Sequence, residues 1–192
     1  MGREFELKYR ATPEQIDAIG ALYGDFSSIS METTYYDTPN QDLRRLHWTL
    51  RRRFENGRSV CTLKTPLPDG SRGEWETECD NIMDAVTELC KLGASRQLLL
   101  LTANGVEPFC GAKFTRLAKL LSEEACTVEL ALDRGVLLGG GKELPFAEVE
   151  VEYKSGDEQA AAAFAKALAQ KFGLTAEPKS KVVRAMELAG NT

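Results

Sequence analysis

The sequence predicts an α+β protein in which an antiparallel sheet closes into a barrel, with a polar lumen inside and amphipathic helices cladding the outside. Two observations carry this. Strand-like segments repeatedly place charged residues on one parity, and in the first and last of them the other parity is apolar. The helix-like segments each show an apolar stripe that needs an apolar sheet surface to cover. A barrel that is polar within and apolar without meets both needs.

The elements follow in order. Glu4 to Tyr9 alternates charged and apolar residues and reads as a strand. Thr12-Pro13-Glu14-Gln15 is a capping box with proline at the first helical position. It opens a helix over 13–23 with Ile16, Ala18, Ile19 and Leu22 at helical spacing, ending at Gly24. Strands are predicted near 31–37, 46–55, 58–66 and 72–79, separated by turn residues at Pro39-Asn40, Asn56-Gly57 and Pro68-Asp69-Gly70, which makes an antiparallel meander. A helix over 81–92 presents Ile82, Val86, Leu89 and Cys90 on one face and stops at Gly93. Strands near 109–121, 125–138 and 145–154 lead into an alanine-rich helix over 157–172 that ends at Gly173. After Pro178 the tail restarts as a short basic helix.

Parity then locates the chemistry. Glu4, Glu6 and Lys8 share a strand face, as do Arg51 with Arg53, Thr62 with Lys64, Glu74 with Glu76, Glu129 with Asp133, and Glu148 with Glu150 and Glu152. A half-exposed sheet explains any one such strand. Several together imply facing partners, because consecutive like charges on one face repel. A lumen with acidic first and last strands and basic middle strands is a site for metal cations plus a polyanion. Carboxylates at i and i+2, about 6–7 Å apart, can bracket hard cations such as Mg²⁺ or Mn²⁺, so that two metals share the Glu4/Glu6 and Glu148/Glu150/Glu152 edges. Lys8, Arg51, Arg53, Lys64 and Arg116 would meet phosphate oxygens. The inward positions are almost all charged or small, which suits a ligand made only of phosphates.

Composition narrows the alternatives. The 192 residues suffice for one domain, taken here as the whole chain, and the net charge of −5 argues against a generic nucleic-acid surface. Apolar runs such as Leu98 to Leu101 are far too short to span a membrane, and the start of the chain lacks a signal-peptide apolar region, so a cytoplasmic protein is expected. Five widely spaced cysteines without a C-x-x-C pair read as free thiols. Gly139-Gly140-Gly141-Lys142 lacks phosphate-loop spacing and reads as a hairpin turn, and His47, the sole histidine, reads as a strand-end residue near the rim. Trp48 and Trp75 read as packing residues.

These residues resemble a known family. Glu4-Phe5-Glu6-Leu7-Lys8 is similar to the E-x-E-x-K signature of the CYTH, or triphosphate tunnel metalloenzyme, superfamily. The likeness continues in order through Tyr35-Tyr36-Asp37-Thr38, Leu50-Arg51-Arg52-Arg53, Thr62-Leu63-Lys64, Arg72 to Glu76, Glu129 to Asp133, Glu148 to Lys154, and Ser180-Lys181 with Arg184. It implies an eight-stranded tunnel whose members hydrolyse inorganic or thiamine triphosphate, or cyclise ATP, with Mg²⁺ or Mn²⁺, two ions per site. Bacterial inorganic triphosphatases are the most similar branch. The resemblance assigns Lys8, Arg51, Arg53, Lys64, Arg116 and Lys181 to catalysis and substrate binding, with Arg184 as a further substrate contact. It assigns Glu4, Glu6, Asp133, Glu148, Glu150 and Glu152 to metal, and Glu74, Glu76 and Glu129 to support. Ala118 stands where a second basic residue two positions after Arg116 is expected, with Lys113 and Lys119 off that parity. The expected activity is hydrolysis of tripolyphosphate by a monomer or homodimer. Thiamine triphosphatase or adenylate cyclase is the alternative enzyme, and a non-catalytic polyphosphate or nucleotide binder the alternative of another class.

Overall fold

A computed structural model describes residues 2–3, 5–68 and 72–190. The elements in chain order are β1 (Gly2–Arg3), β2 (Glu6–Arg10), α1 (Pro13–Tyr23), β3 (Ser27–Asp37), α2 (Asp42–Arg45), β4 (Thr49–Glu55), β5 (Arg58–Pro66), β6 (Arg72–Glu78), α3 (Ile82–Lys91), α4 (Gln97–Leu101), β7 (Glu107–Ser122), β8 (Cys126–Gly139), β9 (Lys142–Gly156), α5 (Glu158–Phe172), β10 (Thr175–Ala176) and α6 (Lys181–Leu188). The Thr12 capping box forms as the sequence indicates, with Gln15 bonding back to Thr12. Asn81, Asp157 and Ser180 cap α3, α5 and α6. Asn56-Gly57 and Gly140-Gly141 turn two hairpins with positive φ at both central residues, the conformation that matches strand twist.

All pairings are antiparallel, in the order β1-β6-β5-β4-β3-β7-β8-β9-β2-β10. The closed eight-stranded barrel expected from the sequence is therefore corrected to a ten-stranded sheet whose ladder has two ends. The cause is the N-terminal strand, which splits: Gly2–Arg3 pairs with β6, whereas Glu6–Arg10 pairs with β9. Nearly adjacent residues thus sit at opposite ends of the strand order, and the sheet is rolled up between them. Three short elements, α2, α4 and β10, have too few residues for a readable period. Residues 46–48 form a turn after α2, with His47 at φ 56°, instead of the start of a strand.

Two apolar clusters lie outside the curl. Ile16 and Ile19 of α1 and Ala161, Ala165 and Leu168 of α5 pack on Leu130, Leu132, Val149 and Val151 of β8 and β9. Val86 and Leu89 of α3 and Leu98 of α4 pack on Leu50, Leu63 and Trp75. Each fully buried aliphatic side chain contributes roughly 1.5–3 kcal/mol, so the outer clusters hold the fold and leave the inner face free for charge. The third cluster is internal. Val182, Ala185 and Met186 of α6 rest on Met31, Tyr35, Ala112, Phe114 and Leu137, which share the inner face with Arg116 and Asp133. Helix α6 thereby closes one end of the curl, and Gly139 permits this contact, since a Cβ there would lie 2.1 Å from the Ala185 carbonyl oxygen. No helix among the described residues is long and apolar enough to cross a membrane.

Candidate active site

The strand register arranges the inner face of β7, β8, β9 and β2 in parallel rows. Leu120, Glu129, Glu152 and Glu6 form one. Ala118, Ala131, Glu150 and Lys8 form the next, then Arg116, Asp133, Glu148 and Arg10, and then Phe114, Gly135 and Phe146. Opposite them β4, β5 and β6 present Thr49, Arg51, Arg53, Lys64, Arg72, Glu74 and Glu76. Both walls line a cavity of about 820 Å³, to which Ser180, Lys181 and Val182 of α6 also contribute.

Beneath the cavity lies a charge-matched cluster. Lys181 Nζ is 2.8 Å from Asp133 and 2.7 Å from Glu150, and it also bonds Glu148. Arg116 forks onto both oxygens of Asp133 at 2.7 Å and reaches Glu150. Arg184 holds Glu148 and lies 3.6 Å from Glu177, which Arg10 also pairs at 2.8 Å. Three buried carboxylates thus meet three cations. Their titration diverges with position. Burial raises the Glu148 pKa to about 7 despite Lys181. Burial opposes ionisation of Glu150 too, but Lys181 and Arg116 together hold it well below the ordinary range. Lys181 is likewise buried, yet Asp133, Glu150 and Glu148 raise its pKa.

Among the described residues the basic wall is paired at longer range. Arg53, with an 11% exposed side chain, donates to the Thr33 hydroxyl at 3.1 Å and lies 3.4 Å from Glu55, itself 35% exposed. Burial, then repulsion from Arg51 and Arg116, lowers its pKa to about 10. Arg51 and Lys64 share Glu74 at 3.8 and 3.4 Å, and among the described residues the buried Nε of Arg51 has no hydrogen-bond partner.

Asp133, Glu148 and Glu150 bring carboxylate oxygens within 4.8 Å of one another, an all-oxygen set that suits a hard cation. A cation entering there competes with Lys181. In the row above, Glu6, Glu129 and Glu152 stand side by side across three strands, with Lys8 3.3 Å from Glu6 and Lys154 2.8 Å from Glu152. These side chains are half-buried and face the cavity, and the donor chemistry fits a divalent ion.

Of the site residues read from the sequence, Lys8, Arg51, Arg53, Lys64, Arg116, Lys181, Glu6, Glu74, Glu76, Glu129, Glu150 and Glu152 line the cavity. Asp133 and Glu148 lie fully buried behind it, and Arg184 faces a neighbouring cavity with Glu177. Glu4 lies outside the described residues. Lys113 pairs with Glu32, and Lys119 caps the end of α1 through the Tyr23 and Gly24 carbonyls, so neither substitutes for a base at Ala118. His47 lines a side cavity of about 130 Å³ with Tyr36, Trp48, Phe109 and Arg44, which shares Thr49, Arg72, Ser180 and Val182 with the lining of the main one. That aromatic annex was not legible in the sequence. Arg72 and Lys154 also line the main cavity and were not assigned, although their parities match those of Glu74 and Glu152. The five cysteines are free.

The architecture is thus a rolled antiparallel sheet with a charged interior, closed at one end by a helix. The model of the CYTH domain matches residues 2–186, and the chain belongs to that family. It is 26% identical over 166 residues to the inorganic triphosphatase of Haemophilus influenzae, covering 83% of this chain and 47% of that protein. The chain therefore spans about half the length of this curated relative. Among solved structures, the Hippeastrum protein HpAC1, described as having a dominant triphosphatase activity, superposes with a TM-score of 0.70 at 19% identity, covering 98% and 97% of the two chains. PH1819 of Pyrococcus horikoshii gives 0.63 at 23% identity, covering 96% and 99%. These likenesses show the fold.

Proposed function

We propose that this chain is a divalent-metal-dependent hydrolase of inorganic triphosphate, cleaving tripolyphosphate to pyrophosphate and phosphate as one CYTH domain. The observation that carries the reading is the opposition of two walls in one cavity: Arg51, Arg53 and Lys64 on one side, and the carboxylate row Glu6, Glu129 and Glu152 on the other. A pure anion binder gains nothing from such carboxylates, which repel phosphate unless a cation intervenes. The Haemophilus influenzae relative supports the same activity.

In this reading Arg51, Arg53, Lys64, Lys8 and Arg116 grip phosphate oxygens, with Lys181 and Arg184 completing the basic set at the closed end. Mg²⁺ or Mn²⁺, two per site, would be held by Glu4, Glu6 and Glu152 and by Asp133, Glu148 and Glu150, and would neutralise charge developing on the phosphate oxygens. Glu74 holds Arg51 and Lys64 in place, Glu76 accepts from Thr62, and Glu129 backs Glu152. The protein's own contribution is positioning and fixed charge.

A second reading has its own observation. The aromatic annex offers Tyr36, Trp48 and Phe109 to an organic group attached to the phosphates, which suits ATP or thiamine triphosphate. A phosphate-release assay over tripolyphosphate, ATP, thiamine triphosphate and pyrophosphate, with Mg²⁺ and with Mn²⁺, separates the two. The expected result is a kcat/KM for tripolyphosphate at least about a hundredfold above that for ATP, no cyclic AMP, and no turnover under chelation. A comparable or higher kcat/KM for either organic triphosphate moves the assignment to the annex.

A further inference from the structure

Phe114, Gly135 and Phe146 occupy one cross-strand row, directly beside the charged row Arg116, Asp133 and Glu148. Gly135 has no side chain because none fits: a Cβ there would lie 2.1 Å from the Lys113 carbonyl oxygen and 2.6 Å from Phe114 Cβ. The two rings meet across it, edge to face, with centroids 5.7 Å apart. Four cations gather on this pair. Lys181, Arg116 and Arg53 lie over the Phe114 ring at 5.3, 5.9 and 6.0 Å, and Arg184 and Lys181 lie over Phe146 at 5.5 and 5.6 Å.

A ring face attracts a cation through its quadrupole and carries no net charge. A carboxylate in the same place would hold the cation but neutralise it and repel an arriving phosphate. The distinction matters most for Arg53. Arg116, Lys181 and Arg184 all have carboxylate partners at 2.8 Å or less, whereas Arg53 donates to the Thr33 hydroxyl and, at 3.4 Å, to the partly exposed Glu55, while two other arginines repel it.

We propose that Phe114 is a positioning residue for phosphate binding: its ring, braced by Phe146 over Gly135, holds the Arg53 guanidinium at the cavity wall without neutralising it. This rests on the cavity's being a phosphate site. It assigns a task to a buried apolar residue that does not itself line the cavity.

The test replaces Phe114 in the full chain with mono-, di- and trifluorinated phenylalanine, which weakens the quadrupole stepwise at nearly constant shape. Tripolyphosphate binding is measured by calorimetry in the presence of chelator, so that turnover does not intervene. Kd should rise with each fluorine, reaching about tenfold at three, while the unfolding midpoint stays level. A flat Kd across the series overturns the proposal. If the wild type binds no tripolyphosphate either under chelator or with Mg²⁺, the phosphate-site reading fails by itself, and the ring's hold is then read from the Nε–H resonance of Arg53. Ring current should displace that resonance in the wild type and release it in Phe114→Leu. An unmoved resonance overturns the positioning role independently of any ligand.

Discussion

The two walls of the cavity use the same residue types to opposite ends. On the side of β7, β8, β9 and α6, three buried carboxylates and three cations cancel one another at short range, and their geometry is set by strand register. On the side of β4 and β5, Arg51, Arg53 and Lys64 share partly exposed glutamates at 3.4–3.8 Å. The first arrangement pairs its charges at contact distance, and the second holds them at longer range. Burial alone does not distinguish them, since the side chains of Arg53 and Arg116 are 11% and 13% exposed. What separates them is how closely the carboxylates approach each cation.

The contrast can be broken most forcefully at Lys181. Lys181→Met removes the one cation that touches all three buried carboxylates and leaves them with an uncompensated charge, and the expected loss of stability is about 3–5 kcal/mol in urea unfolding. Lys64→Met on the other wall should change stability by at most about 1 kcal/mol. Equal losses would erase the distinction. Next in size is Arg53→Ala, which should lower kcat/KM for tripolyphosphate by roughly 10²- to 10³-fold and leave the unfolding midpoint nearly unmoved, because its removal also relieves repulsion with Arg51 and Arg116. Intact activity would make Arg53 a scaffold residue. The smallest effect sharpens the comparison by pH. Glu148 titrates near 7 when folded, above the ordinary 4.5, so the folded state keeps a proton that the unfolded state gives up. The stability linked to Glu148 is therefore full below about 4.5 and lost as pH rises through about 7. Glu148→Gln should flatten that slope in metal-free protein, as read from unfolding midpoints across the range. A parallel shift at every pH would mean that Glu148 does not carry it.

Much of this was legible in the sequence because strand parity is local. The inward sets Glu6/Lys8, Arg51/Arg53 and Glu148/Glu150/Glu152 needed only a period of two. Which carboxylates would be cancelled was not legible. It depends on Lys181 arriving from a tail helix packed on the inner face, a contact 48 residues from Asp133 that no periodicity encodes. The pairing of Gly2 and Arg3 with β6 was hidden for the same reason, since these residues lie ahead of the alternation from Glu4 to Tyr9, of which Glu6 to Tyr9 pairs with β9. Phe114 and Phe146 read as ordinary apolar strand residues until the register places Gly135 between them.

That divided strand bears on how the chain folds. The meander from β3 to β6 and the hairpins of β7 to β9 join neighbours in sequence and can zip locally, but β2 finds its partners in β9 and β10, after residues 142–156 and 175–176 have been synthesised. Glu6 and Lys8 must therefore spend the growth of nearly the whole chain unpaired, beside a nascent sheet with an open edge. Long-range closure of this kind is slow, so docking of β2 is a natural late step of folding, and the part of the cavity wall carrying Glu6 and Lys8 exists only once it is complete.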